Sequence, residues 1–335
     1  MEYRILGKTG LHISRMGLGG IPIQRIDAEG TKKLMHQLME AGVNFVDSAR
    51  GYSVSEEYLG YALEGIRDKF VLATKSMART KEEMARDVDI SLKNFRTDYI
   101  DLYQFHNPNE AQLHQLLGEG GAMEALQEAK AAGKIGHLGL TAHSAAVFAR
   151  ALELDWVETV MFPYNIVEDQ GAELMALARE KNIGFIDMKP LAGGAIDDAR
   201  LALRYCCSND DVTVVIPGMA DPRELEENLA ACSDPSPLSA EEQEKIDAVR
   251  AQLGTVFCRR CNYCAPCAVG ISVLDIFLAE SYWTRYGLEE FAKRKYNGMA
   301  KHGSDCIGCG VCETRCPYHL PIRDMMKKVT KMFGK

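Results

Sequence analysis

The chain has no apolar run long enough to span a membrane as a helix. Its Met1-Glu-Tyr-Arg4 opening lacks the apolar stretch of a secretory leader. Basic charge is also short, with 39 Lys and Arg against 47 Asp and Glu and a net charge of −8. That argues against a nucleic-acid partner, which needs a basic surface. Cysteine is scarce through most of the chain: three of eleven precede residue 258, and eight crowd beyond it. A disulfide scaffold suits a short secreted chain, whereas this crowding has metal-site spacing, so a reducing cytoplasm is expected. The content is otherwise ordinary for a globular chain with a full core, 47% apolar and 26% charged over 335 residues.

The stretch Asn44-Phe-Val-Asp-Ser-Ala-Arg-Gly-Tyr52 organises the first part. It reads as a short buried strand ending in a carboxylate, followed by a loop bearing a phenol. Alone, Asp47 would be a helix cap or loop brace. Its successors change that: Lys75 ends the run Phe70-Val-Leu-Ala-Thr, and His106 ends Tyr99-Ile-Asp-Leu-Tyr-Gln-Phe. The intervals, 28 and 31 residues, each fit a strand, a helix and two loops. In a parallel β/α barrel such positions emerge at one mouth. Together they form a plausible acid catalyst. A free phenol ionises near pH 10, and a neighbouring ammonium lowers that value. Asp47 would hold Lys75 charged, and His106 would orient the substrate oxygen.

With Tyr3-Arg-Ile-Leu-Gly-Lys-Thr-Gly-Leu11, Asp47…Tyr52, Ala73-Thr-Lys75 and His106, the first three quarters of the chain resemble the aldo-keto reductases. The resemblance implies a nicotinamide cofactor, NADH or NADPH, bound without a Gly-rich dinucleotide fingerprint, and a small carbonyl or alcohol substrate. Its cofactor-facing positions fall here on Gly19, Thr141, Ala142, Met161, Met188, Lys189, Leu191, Ile216, Pro217, Gly218, Arg223, Glu227 and Asn228. Several depart from the family. Thr141-Ala142 replace a Ser-Asn pair, Met161 a glutamine, and Met188 an aromatic ring. Gly218, Met219 and Glu224 stand where relatives place Lys, Ser and Arg around a 2′-phosphate. Glu224 also completes a capping box with Asp221, and its charge would repel a phosphate. NADH is therefore the expected cofactor, unless Arg223 or Lys189 reaches the phosphate.

In chain order, residues 3–13 suggest a hairpin across the barrel bottom, and eight β/α units follow. Expected strands end at Gly19, Asp47, Lys75, His106, Thr141, Phe162, Met188 and Ile216. Helices are expected after Asp27, behind Ser53…Glu56 and Thr80…Glu83 capping boxes, and over 123–132, 145–152 and 171–181. A further helix ends near Cys206-Cys207, and another starts at Asp221-Pro222. The fold class is a (β/α)8 barrel over 1–237. A doubly wound sheet would not bring four consecutive strand ends round one site so readily. A connecting helix over 238–254, capped by Ser239…Glu242, leads to a cysteine-rich domain over 255–335. Cys206, Cys207 and Cys232 read as core residues, and His143 is left without a role.

Cys258-x2-Cys261-x2-Cys264-x2-Cys267 and Cys306-x2-Cys309-x2-Cys312-x3-Cys316-Pro317 are the most specific signals. The second matches the bacterial ferredoxin run, whose fourth cysteine ligates the other cluster. Four thiolates also hold zinc, but zinc sites use paired CxxC knuckles, whereas three cysteines at x2 steps wrap a cubane. Two [4Fe–4S] clusters are expected, with crossed ligation: Cys258, Cys261 and Cys264 with Cys316, and Cys306, Cys309 and Cys312 with Cys267. This tail narrows the resemblance to the iron–sulfur branch of the family, as does Met188-Lys-Pro-Leu-Ala-Gly-Gly194. The span from Val273 to Asn297 reads as helical, its aromatics packing a small ferredoxin-like module. Arg323, Lys327, Lys328 and Lys331 form a solvated helix face or a docking patch for a ferredoxin or flavoprotein partner.

Three functions compete. The first is an NAD(P)H-dependent carbonyl oxidoreductase with two clusters. The second is an electron carrier with the barrel as scaffold. The third is a lyase forming a Schiff base on Lys75.

Overall fold

The computed structural model describes residues 1–254 and 256–335, so residue 255, where the cysteine-rich domain was expected to begin, lies outside the described residues. Two compact units result: 1–191 with 198–238, and 192–197 with 239–335.

In the first unit, β1 (Tyr3–Ile5) and β2 (His12–Ser14) pair antiparallel. Eight parallel strands follow: β3 (Leu18–Gly19), β4 (Phe45–Asp47), β5 (Val71–Ser76), β6 (Ile100–Phe105), β7 (Ile135–Thr141), β8 (Thr159–Pro163), β9 (Gly184–Met188) and β10 (Val214–Ile216). Each pairs with the next in sequence, and parallel bridges Met16–Val215 and Gly19–Gly218 join the last to the first. The sheet is thus a near-closed barrel. Side chains alternate along each strand. Phe45, Ala73, Leu102, Met161, Ile186 and Val214 form the inner cluster. Val46, Leu72, Tyr103, Val160, Phe185 and Val215 pack outward under the helices. Leu6 and Ile13 of the hairpin join the inner cluster and plug the N-terminal end of the strands. Gly7 makes the close approach possible. Its φ is +54°, and a Cβ there would lie 2.2 Å from the Gly184 nitrogen.

The surrounding helices are α1 (Ala28–Glu40), α2 (Ser55–Ala62), α3 (Lys81–Phe95), α4 (Glu110–Leu117), α5 (Ala122–Ala131), α6 (Ala145–Ala151), α7 (Ala172–Glu180), α8 (Ala199–Cys207) and α9 (Pro222–Cys232). Asp27 and Thr80 cap α1 and α3, and the Asp221…Glu224 box forms on α9. The Ser53…Glu56 box does not. Val54 is the cap residue of α2 and makes no side-chain bond, while Ser53 Oγ donates to Gln24 Oε1. Glu56 is drawn inward instead, where it accepts from Arg50, Thr74, Ser91 and Asn94. Helix α4, with its Asn109…Gln112 capping box, was not anticipated. Cys206 and Cys232 are buried and Cys207 is partly so.

The second unit contains α10 (Ala240–Leu253), α11 (Val273–Thr284), α12 (Glu289–Asn297), α13 (Val311–Thr314) and α14 (Ile322–Phe333). The Ser239…Glu242 box caps α10. The helical span expected over 273–297 is two helices, broken at Gly287, whose φ of +66° no helix accommodates. Ile276, Phe277, Met326 and Val329 centre its core. Tyr296 stacks on Phe333 at 4.0 Å between ring centroids, and Trp283 meets Phe333 edge-on.

Candidate active site and cluster cavities

On β4 the period of two that buries Phe45 inward turns Asp47 inward as well. On β5 it brings Lys75 round beside it. Lys75 Nζ donates to Asp47 Oδ2 at 2.5 Å and to the Ser48 carbonyl at 2.7 Å. Both side chains are almost wholly buried, 2% exposed for Asp47 and 1% for Lys75. Burial pushes Lys75 below the usual lysine value and Asp47 above the usual carboxylate value, and the mutual attraction opposes both shifts. Tyr52, in the loop after β4, presents its ring 5.0 Å from Lys75 Nζ. His106, directly after β6, meets that ring edge-on with centroids 6.1 Å apart. The structure therefore brings together all four polar residues singled out in the sequence.

Two supporting groups escaped notice. Gln104 Nε2 donates to Asp47 Oδ1 at 3.4 Å. It is a polar side chain two residues beyond inward-facing Leu102, so strand alternation could have found it. Arg79 donates to the His106 carbonyl at 2.8 Å and holds the start of that loop. Burial lowers its guanidinium to about 10.

The positions assigned to a cofactor divide. Thr141 pairs with Met161 across β7 and β8, and Pro163 with Met188 across β8 and β9, so these residues share one arc of the barrel. Ala142, Met161 and Met188 are buried, and Thr141 Oγ1 accepts from the Asn107 amide at 2.9 Å. Gly19, Ile216, Pro217 and Gly218 lie together where the barrel closes. Lys189 follows β9 with φ of +60°, and its carbonyl accepts from Asn165. Leu191 packs against the outer core. Arg223 and Glu227 are exposed on α9, one turn apart, while Asn228 is buried and contacts Met219. Glu224 differs from expectation. Its carboxylate is gripped through both oxygens by Arg25 at 2.8 and 2.9 Å, so its charge is compensated where it was expected to repel.

In the second unit the cysteines line two cavities. Cys258, Cys261, Cys264 and Cys316 line one. Cys267, Cys306, Cys309 and Cys312 line another. Phe277 and Leu320 wall the first, Ile271 and Met326 the second, and Val273 and Ile322 both. Four thiols round a small, mostly apolar space fit a cubane cluster, whose ligands are cysteine thiolates. Three cysteines of one run meet one of the other in each cavity.

The chain was compared with known proteins. A family model for the aldo/keto reductase family matches residues 15–200 and 197–251, and one for a 4Fe-4S dicluster domain matches residues 257–321. L-galactose dehydrogenase of Arabidopsis thaliana is 26% identical over 76% of this chain and 95% of its own. The aldo-keto reductase YhdN of Bacillus subtilis is 28% identical over 69% of this chain and 74% of its own. Among solved structures, the holo form of aldo-keto reductase AKR11C1 from Bacillus halodurans superposes with a TM-score of 0.65 and 26% identity. That match covers 74% of this chain and 96% of the neighbour. The protein belongs to the aldo/keto reductase family. It is an oxidoreductase of that family carrying a C-terminal 4Fe-4S domain.

Proposed function

We propose that the barrel reduces the carbonyl group of a small substrate, with Tyr52 as the proton donor and NADH or NADPH as the second reactant. The buried Lys75–Asp47 pair beneath the Tyr52 ring carries this reading. Asp47 fixes the ammonium, the Ser48 carbonyl takes a second of its hydrogens, and the cation sits where a developing phenolate needs compensation. His106 stands against the edge of the same ring, placed to hydrogen-bond the substrate oxygen. The cofactor, when bound, supplies hydride to the carbonyl carbon. Thr141 retains a hydroxyl proton for its carboxamide, and Met188 lies on the same arc of the barrel, beside the ring's expected place. Met188 thus supplies the contact an aromatic side chain commonly provides. Each cysteine cavity would hold one [4Fe–4S] cluster through the crossed set of four thiolates.

The Schiff-base alternative fares worse. Lys75 is 1% exposed and already donates to two oxygens, so no substrate carbonyl reaches its nitrogen.

Substituting Tyr52→Phe tests the proton donor. The expected result is a loss of roughly 10²–10⁴ in carbonyl reduction, with cofactor affinity, iron content and unfolding unchanged. A variant retaining more than half the activity rejects Tyr52 as the acid.

A further inference from the structure

The two cysteine cavities differ in their access to water. In the first, Cys316 is 7% exposed and its companions are half-buried. In the second, Cys306 and Cys309 are exposed. Between and beside them stand two exposed apolar side chains, Ile307 at 66% and Val311 at 39%. Glycines 308 and 310, both at positive φ, bend the backbone round this edge.

A groove runs from Cys306 and Gly308 along α14, lined by Arg323, Lys327 and Lys331. Those three cations recur every fourth residue, so they form one stripe on the helix. Arg323 is paired with Glu313 and Lys327 with Asp324, while Lys331 and neighbouring Lys328 have no ion pair among the described residues. The local balance is opposite to that of the whole. Residues 301–335 carry seven Lys and Arg against three Asp and Glu, in a chain with 39 against 47.

We propose that this edge is the docking surface for a small acidic one-electron carrier protein. The proposal rests on the reading that the second cavity holds a [4Fe–4S] cluster. An apolar centre of Ile307 and Val311 over the cluster's wet side, flanked by a cationic stripe, matches what transient electron-transfer contacts need: a small area, little desolvation and charges that steer the encounter. A cluster held there by Cys306, Cys309, Cys312 and Cys267 would accept one electron from the reduced carrier, which would leave oxidised by one electron. No bond is made and no proton moves.

The test uses the full chain, purified anaerobically, and a chemically reduced acidic two-cluster ferredoxin as probe. Cluster reduction is followed by stopped-flow absorbance across a range of salt concentrations. Lys327→Glu/Lys331→Glu is compared with Lys33→Glu/Lys181→Glu, which makes the same change in net charge at exposed positions of the barrel, on α1 and just after α7. The stripe variant is expected to lose at least tenfold in second-order rate at low salt and most of its salt dependence. The barrel variant should change by less than twofold. Iron content and the cubane signal in electron paramagnetic resonance are recorded for each. Full clusters with equal rates in both variants overturn the docking surface alone. Absence of iron from the second cavity overturns the cluster reading and the docking surface together.

Discussion

At the scale of single residues, the site depends on charges that have left water. Lys75 and Asp47 would each be costly to bury alone, and side by side they hold one another. Glu224 illustrates the same rule nearer the surface. On sequence it stands as a capping-box acid whose charge disfavours a 2′-phosphate, and it also grips Arg25 and accepts from the Ala220 amide. Glu224→Gln keeps a cap acceptor while releasing Arg25. We predict that NADPH then binds about tenfold more tightly, a change of roughly 1.4 kcal/mol, while NADH binding moves little. Titration of both cofactors against both proteins decides this, and equal shifts for the two would remove Arg25 from the discrimination. The Asp47, Tyr52, Lys75 and His106 set was legible because each marks the end of an apolar run at barrel spacing. The Arg25–Glu224 pair joins residues far apart in sequence, and no local pattern announces it.

Elements were legible where periodicity and caps agreed. Strands buried on both faces, written as short apolar runs, and helices opened by Asp27, Thr80, Asp221 or Ser239 follow from neighbouring residues alone. Glu56 deceived because Ser53…Glu56 has the spacing of a capping box, while the fold needed that carboxylate inside to satisfy four donors. Gly287 was passed over since aromatic side chains on both sides keep a helical character across it. Between elements, Glu158 serves as a clamp. It precedes β8 and reaches back to β7, accepting from the His137 ring at 2.8 Å and the Leu138 amide at 2.7 Å, with Lys130 at 3.1 Å. Burial alone would raise its pKa, but those hydrogen bonds outweigh it and hold the value at about 2. An unfolded glutamate titrates near 4.3. The clamp's contribution is therefore complete above that pH and is lost as pH falls toward 2. Discounted for partial contact with water, it is on the order of 1–2 kcal/mol. Glu158→Gln should be less stable than the parent by that amount at pH 7, with the gap shrinking as pH falls from about 5 toward 2. Parallel urea midpoints across that range would show that Glu158 clamps nothing.

For the molecule as a whole, the tail's iron chemistry was the plainest signal in the sequence, since x2 spacing is dictated by the cubane itself. What spacing could not convey was the unequal wetness of the two cavities, which depends on how α14 and the loop 306–310 pack. If ligation is crossed, Cys306→Ala/Cys309→Ala and Cys258→Ala/Cys261→Ala should each loosen the entire segment 256–335. The measurement is iron per chain together with the rate of proteolysis in that segment. A variant that loses one cluster and keeps a fully protected tail would reject crossed ligation as the tail's main support.

If Cys258, Cys261 and Cys264 share a cluster with Cys316, that pairing also sets an order of events during biosynthesis. The first three thiols leave the ribosome well before their fourth partner, with Cys306, Cys309 and Cys312 made in between. A nascent tail that accepted iron early would hold an incomplete corner open to oxygen and to the wrong thiols. With crossed ligation, assembly of the shielded cluster would wait for the second run, and iron delivery would follow translation of the segment instead of accompanying it.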